Sequence, residues 1–178
     1  DEPPTPAELA TPWRSLARTF TFSTEGIQVH RNIAYGDHGK RSMLDVFVPE
    51  EAPQGAPVLL QVHGGGWTIG EKEQQGQPLI RHMAAKGWVC VAINYRLSPR
   101  SDWPAHVVDV KQAIARIKAN IADFGGDPDY VVITGGSAGG HLTALAALTP
   151  NAPEFQPGFE DVDTSVQAAI PFYGVYDF

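Results

Sequence analysis

"VVITGGSAGGHLTALAAL", residues Val131 to Leu148, changes character halfway along. It opens on a β-branched run, closes on alanine and leucine, and between them sets Gly135, Gly136, Gly139 and Gly140 around Ser137. β-Branched residues favour extended backbone, whereas Ala and Leu are strong helix formers. The stretch therefore predicts a strand, a tight turn and a helix, with one hydroxyl at the bend. Glycine in a regular element costs about 0.5–1 kcal/mol relative to alanine. Four of them beside one serine imply that strand and helix approach each other too closely there for a Cβ.

Working outward, short apolar runs alternate with helix-like segments. Ile27 to Ala34 and Met43 to Val48 read as two strands around the turn-rich "GDHGKR", a hairpin-type signal. Val58 to His63 and Trp88 to Asn94 are apolar almost without interruption, the pattern of strands buried on both faces. Between them a helix is expected from about Gln77 to Gly87, a residue suited to a left-handed helix end. Val107, Val110, Ile114, Ile117 and Ile121 recur at steps of three and four, which predicts a helix with one apolar stripe and with Lys111, Arg116 and Lys118 on its other face. "FGGDPD" should stop it, "YVVIT" should be a strand, Thr149 to about Thr164 a loop, and "VQAAIPF" the last strand. Strands alternating with helices require crossovers, so they pair in parallel. The expected fold class is α/β, a mostly parallel central sheet with helices on both faces, reaching about the sixth strand. Residues 1–20 read as a lead-in, because Pro3, Pro4, Pro6 and Pro12 interrupt any long helix. Residues 21–178 then form one unit.

Composition excludes several function classes. Thirteen basic against twenty acidic residues give a formal charge of −7, and no Lys/Arg cluster provides the footprint of a nucleic-acid binder. The single Cys90 excludes an internal disulfide and a cysteine-rich metal site. No apolar run approaches the about 18 residues that span a bilayer. The acidic, proline-rich start does not read as a signal peptide, and the absence of an initial Met implies that an upstream segment was removed. A cytoplasmic location is expected, with a membrane-associated or exported one if that segment was a targeting signal.

Gly135, Ser137 and Gly139 fit G-x-S-x-G, the nucleophile elbow, in which a strained strand-to-helix turn presents the serine outside the sheet. The helix that follows aims its free N–H groups and positive dipole end at whatever the serine attacks. A second glycine turn, "HGGG" at His63 to Gly66, directly follows "VLLQV" and matches the lipase/esterase motif that supplies oxyanion-hole donors. Acyl transfer needs both, because a tetrahedral intermediate gathers negative charge on the former carbonyl oxygen. A phosphate-binding turn is the competing reading of "GGSAGG", but neither Gly-Lys-Ser/Thr nor G-x-G-x-x-G spacing is present.

Together with "HGGGW", the segments "NYRLSP", "WPAHVVDV", "GGDPDYVVITGGSAGGHL" and "IPFYGVYDF" resemble, in the same order, those of α/β-hydrolase carboxylesterases of the hormone-sensitive-lipase type. The resemblance covers about residues 42–178. It implies that Ser137 is the nucleophile and that the N–H groups of Gly65, Gly66 and Ala138 form the oxyanion hole. It also implies a triad in the order serine, Asp or Glu, histidine. No histidine follows Asp161, Asp163 or Asp177, so that order cannot be written within residues 1–178.

His141, four residues after the serine, is poorly placed on the nucleophile's own helix to act as its base, and reads as a packing or hydrogen-bonding residue. His63 should order the glycine turn through its ring nitrogens. His82 and His106 read as ordinary surface residues, and His30 and His38 lie far upstream. Arg96 and Asp109 read as a structural pair, Trp67 as core rather than the wall of an acyl pocket, and Cys90 as a small buried apolar residue. No metal and no cofactor is expected.

The resemblance further implies two more strands carrying the triad acid and base. The chain is therefore expected to be the N-terminal two-thirds of a single domain, with its own C-terminal segment as partner, supplied separately or removed. The function expected is hydrolysis of carboxylic esters of small or medium acyl groups through an acyl-enzyme at Ser137. A small-molecule ester is then the substrate, nucleic acid is not a partner, and a homodimer is compatible with the sequence. An amide or arylformamide hydrolase, and a ligand-binding relative without catalysis, are the alternatives.

Overall fold

β-Branched and apolar runs become the strands of one six-stranded sheet, described by a computed structural model for residues 25–51 and 54–177. The expected lead-in over residues 1–20 lies outside the described residues. The strands are β1 (Ile27–Ala34), β2 (Met43–Pro49), β3 (Ala56–Val62), β4 (Val89–Ile93), β5 (Gly126–Gly136) and β6 (Ala168–Phe172). The helices are α1 (Gln77–Ala84), α2 (Ala105–Asn120) and α3 (Ala138–Leu148). Spatial order is β1-β2-β4-β3-β5-β6. β1 and β2 form the expected antiparallel pair, β2 meets β4 antiparallel, and β3 to β6 are parallel, as their intervening helices require.

The sheet separates two apolar layers by the period-two rule. Val58, Leu60 and Val62 of β3 face the layer built with Val110, Ile114 and Ile117 of α2 and with Leu142 and Ala146 of α3. Leu59 faces the other way, with Cys90, Ala92 and Val132, onto Ile80 and Ala84 of α1. Burying a side chain such as Ile114 contributes roughly 1.5–3 kcal/mol. β3 is thus followed by a helix on one face and β5 by a helix on the other. The carboxyl ends of these neighbouring strands form a switch point, where open α/β sheets bind ligands.

Two sequence expectations need correction. Lys111 is not on the exposed face of α2: it is fully buried, because α3 packs beside α2 and widens the covered stripe. Its Nζ donates to the carbonyls of Ala146 and Thr149 and to Thr164 Oγ1, so it satisfies the end of α3. Arg116 is exposed, and Lys118 reaches Asp163 at 2.6 Å. The second correction concerns the start of β5. "FGGDPD" stops the helical segment as expected, through a 3₁₀ turn at Ile121–Phe124 and Gly125 at φ +79°, but the strand begins at Gly126, which pairs with Ala56, rather than at Tyr130. Between Thr149 and Thr164 the loop contains a short 3₁₀ turn, Pro153–Phe155.

β6 is an outer strand of the described sheet. Ile170, Phe172, Tyr173 and Tyr176, on and just after it, are exposed.

Candidate active site

Ser137 stands between β5 and α3 with φ +56° and ψ −122°, a left-handed conformation that a residue with a Cβ rarely holds. The glycines around it explain how the bend closes. A Cβ at Gly135 would lie 2.5 Å from the Gly139 carbonyl oxygen and 2.6 Å from that of Val62, and one at Gly139 would lie 2.6 Å from the His63 carbonyl oxygen. Helix and strand ends therefore touch backbone to backbone. The Ser137 N–H donates to the Phe172 carbonyl at 3.0 Å, which ties the bend to β6, and the His141 N–H donates to the Ser137 carbonyl at 3.0 Å. Ala138, the first residue of α3, is buried, and its N–H lies in the turn that has no intrahelical acceptor.

The second glycine turn leaves β3 next door. Val62 is the register partner of Gly135, so both turns emerge from the same end of adjacent strands. A Cβ on Gly64 would lie 2.6 Å from the Gly136 carbonyl oxygen and 3.4 Å from the Ser137 Cβ, so the two turns are in contact. Gly65, Gly66 and Trp67 all have positive φ, at +118°, +57° and +58°. The Gly65 carbonyl accepts from the N–H groups of Thr68 and Ile69, both at 3.1 Å. The Gly64 N–H donates to Gln75 Oε1 at 2.8 Å.

His63 is buried beneath this turn. Its Nδ1 lies 2.7 Å from the Gly64 carbonyl, so that nitrogen carries the proton and donates. The ring stacks on Tyr95 at 4.3 Å, and the Tyr95 hydroxyl donates to the His63 carbonyl at 2.9 Å. Burial holds the His63 pKa below its ordinary value, which keeps the ring neutral at pH 7.

Beside the turn lies a cavity of about 550 Å³ bordered by Gly66, Trp67, Ser98, Trp103, His106 and His141. Trp67 packs partly against the core, as expected, but it also forms a wall of this cavity and meets His141 edge to face at 5.3 Å. His106 corrects the surface reading: it is buried, with Nε2 3.2 Å from Ser98 Oγ, which lies 3.1 Å from the Ser101 carbonyl. A signal for this was present, since His106 stands four residues before Val110 and extends the apolar stripe of α2. Desolvation lowers the pKa of both His106 and His141. His82 is exposed, as expected.

Arg96 and Asp109 form the structural pair. Arg96 Nη2 and Nε reach Asp109 Oδ1 at 2.6 and 2.9 Å, and the Arg96 backbone N–H donates to Oδ2 at 2.7 Å. The bond to the carboxylate raises the arginine pKa further and holds the loop after β4 against α2. Cys90 is buried and its thiol is pushed up to about 12, which suits packing rather than nucleophilic chemistry. Among the described residues no group of three or more His, Cys, Asp or Glu is placed to hold a metal.

Known proteins resemble the chain in sequence and, among solved structures, in fold. The BD-FAE family matches residues 44–178. The probable carboxylic ester hydrolase LipM of Mycobacterium tuberculosis is 54% identical over 178 residues, which are 93% of this chain and 41% of that protein. Esterase LipQ of the same organism is 60% identical over 148 residues, 82% of this chain and 35% of that protein. The chain thus spans about four-tenths of the length of these curated relatives. Among solved structures, a truncated form of a carbohydrate esterase from gut microbiota superposes with a TM-score of 0.76 at 25% identity, covering 83% of this chain and 56% of that one. With the strand order, the serine bend and the glycine turn beside it, these matches show that the chain belongs to the BD-FAE family and has the α/β-hydrolase fold.

Proposed function

We propose that the protein is a serine carboxylesterase. The observation that carries this reading is the closeness of Gly64 to Ser137, where a Cβ added to the glycine would lie 3.4 Å from that of the serine, because it brings a bare-backbone turn to the side of an alcohol held on a strained bend. Relatives named esterase and carboxylic ester hydrolase support it.

In the reaction, Ser137 Oγ adds to the ester carbonyl carbon while its proton passes to a general base. The N–H groups of Gly65, Gly66 and Ala138 receive the negative oxygen. Gln75 occupies the Gly64 N–H, which leaves the next two amides as the donors of that turn. His63, neutral and bonded to the Gly64 carbonyl, supports the turn without touching substrate. The tetrahedral species collapses, the protonated alcohol leaves, and water then adds to the acyl-enzyme and releases the acid. Each oxyanion donor is worth roughly 2.7–4 kcal/mol in the transition state.

The acyl group fits the cavity of about 550 Å³ beside Gly66, whose tryptophan walls favour an uncharged acid of small or medium size. The curated relatives are more than twice as long as the stretch matched here, and a general base with its carboxylate partner would come from such further sequence.

Labelling of the full-length protein with a fluorophosphonate tests the reading. Labelling that disappears in Ser137→Ala, together with turnover of p-nitrophenyl esters, is the expected result. Well-folded protein that does not label favours a ligand-binding role. Faster turnover of arylformamides than of matched esters would move the protein to the amidase alternative.

A further inference from the structure

Near the glycine turn in the chain, a lysine and an aspartate are buried together. Lys72 and Asp45 side chains are each 1% exposed, and Lys72 Nζ lies 3.0 Å from Asp45 Oδ1. Two charges rarely leave water without a dense set of partners, and a buried ion pair often contributes less stability than an apolar pair of the same volume. Here the partners come from three different parts of the chain. Asn32, at φ +56° within an irregularity of β1, donates its N–H to Asp45 Oδ1 at 2.8 Å and accepts from Lys72 Nζ through Oδ1 at 3.0 Å. Asn94, just after β4, accepts from the Lys72 backbone N–H at 2.7 Å, and its own amide donates to the Lys40 carbonyl at 3.0 Å. Glu73 receives a further bond from Lys72 Nζ at 2.5 Å.

The segment fastened in this way is the one that reaches the catalytic turn. Arg41 donates to the Gly70 carbonyl at 2.9 Å, and Gly70 packs so closely that a Cβ there would lie 2.5 Å from the Gly64 carbonyl oxygen. Gln77 Nε2 donates to the Lys72 carbonyl at 3.0 Å, which sets the chain between Lys72 and α1. Within that short span stands Gln75, whose Oε1 accepts from the Gly64 N–H at 2.8 Å. Contacts from β1 and β2, at the far edge of the sheet, therefore fix Lys72, and the chain leads from Lys72 within three residues to Gln75 and its bond to Gly64.

We infer that Asp45 and Lys72 are positioning residues for the oxyanion turn, acting through Gln75 and Gly64 rather than by touching substrate. The inference rests on the esterase reading for its effect on rate, but not for its effect on the turn. It accounts for a buried charge pair, an arrangement that an apolar pair of the same volume often matches in stability. A turn whose donors must meet a developing charge tolerates little displacement, and a misplacement of about 1 Å can cost about 10²-fold in rate.

The test uses the full-length protein with Gln75→Ala, whose site is exposed, and the double variant Asp45→Asn with Lys72→Met, which removes both charges together. Thermal unfolding, hydrogen exchange over residues 63–70, and kcat and KM on a p-nitrophenyl ester are measured for each. The expected result is faster exchange of the Gly64 amide in both variants, kcat lower by about ten- to hundredfold with KM within about twofold, and a double variant that unfolds near the wild-type temperature. Loss confined to kcat is the mark of an interaction made in the transition state. Wild-type exchange and kcat in both variants overturn the inference. So does a kcat that recovers together with stability in the double variant, since the pair is then merely structural. Where the double variant does not fold, Gln75→Ala decides, because a support whose last member carries nothing carries nothing. A wild-type protein with no ester turnover removes the esterase reading, while the exchange measurement still decides whether Lys72 and Gln75 hold the turn.

Discussion

Gly139 on α3 and Val62 at the end of β3 meet backbone to backbone, so closely that a methyl group on the glycine would overlap the Val62 carbonyl oxygen and lie 2.6 Å from that of His63. This contact joins the elbow to the strand that carries the glycine turn. Gly139→Ala is expected to lower stability by about 1–3 kcal/mol, the range for forcing atoms into a packed site. Gly158→Ala is the comparison, since its site has positive φ but open space, and only conformational strain of about 1–2 kcal/mol applies. Urea denaturation of both variants checks the pair. Labelling of Ser137 should fall sharply in Gly139→Ala and stay unchanged in Gly158→Ala.

Ser137 itself holds a conformation that glycine adopts without cost. Ser137→Gly is therefore expected to raise stability by about 1 kcal/mol while abolishing fluorophosphonate labelling, whereas Ser137→Ala abolishes labelling and leaves stability nearly unchanged. Denaturation midpoints of the three proteins separate strain from chemistry. A less stable glycine variant would contradict a strained elbow.

Lys111 donates at the end of α3, and its removal takes a donor from the Ala146 carbonyl, while the Thr149 carbonyl keeps the Ala152 N–H and Thr164 Oγ1 keeps the Asn151 N–H. Lys111→Met should cost about 1–3 kcal/mol, against a change within about 0.5 kcal/mol for Arg116→Met on the exposed side of the same helix. Burial pushes the Lys111 pKa down to about 8 from 10.5. Between those values the unfolded chain binds more protons than the folded one, so this group's contribution makes stability rise with pH across that window. The wild-type minus Lys111→Met difference in unfolding free energy, followed from pH 7 to 10, should show that slope.

The histidines act at lower pH. His63, His106 and His141 all have pKa values lowered by desolvation, so the unfolded chain protonates first, near its ordinary value of about 6.5. Stability is complete above that value and is lost as pH falls from there toward the folded pKa values. Thermal midpoints measured from pH 7.5 to 5 should decline, and the decline should be shallower in His141→Asn.

Much of the fold was legible because its signals are local. The apolar runs of β3 and β4, the stripe of α2 and the glycines about Ser137 each state their element within a few residues, and alternation then dictates parallel pairing. The two glycine turns could likewise be recognised, since both follow strands directly and both need backbone without side chains. Lys111 and His106 were misread for one shared reason: charge and polarity describe what a residue prefers, while their burial depends on α3 and on the loop after β4, which arrive from distant sequence.

By itself, then, the order of residues determined the α/β architecture, the serine at the bend and the second glycine turn, because periodicity and glycine chemistry act over single turns of chain. Only the tertiary structure decided that the turn lies against the serine, that a cavity of about 550 Å³ opens beside it, and that Asp45, Asn32 and Lys72 converge. Those contacts join distant segments, 40 residues apart for Asn32 and Lys72 and farther for the turn and the serine, and which buried polar group finds which partner is settled by how the layers pack.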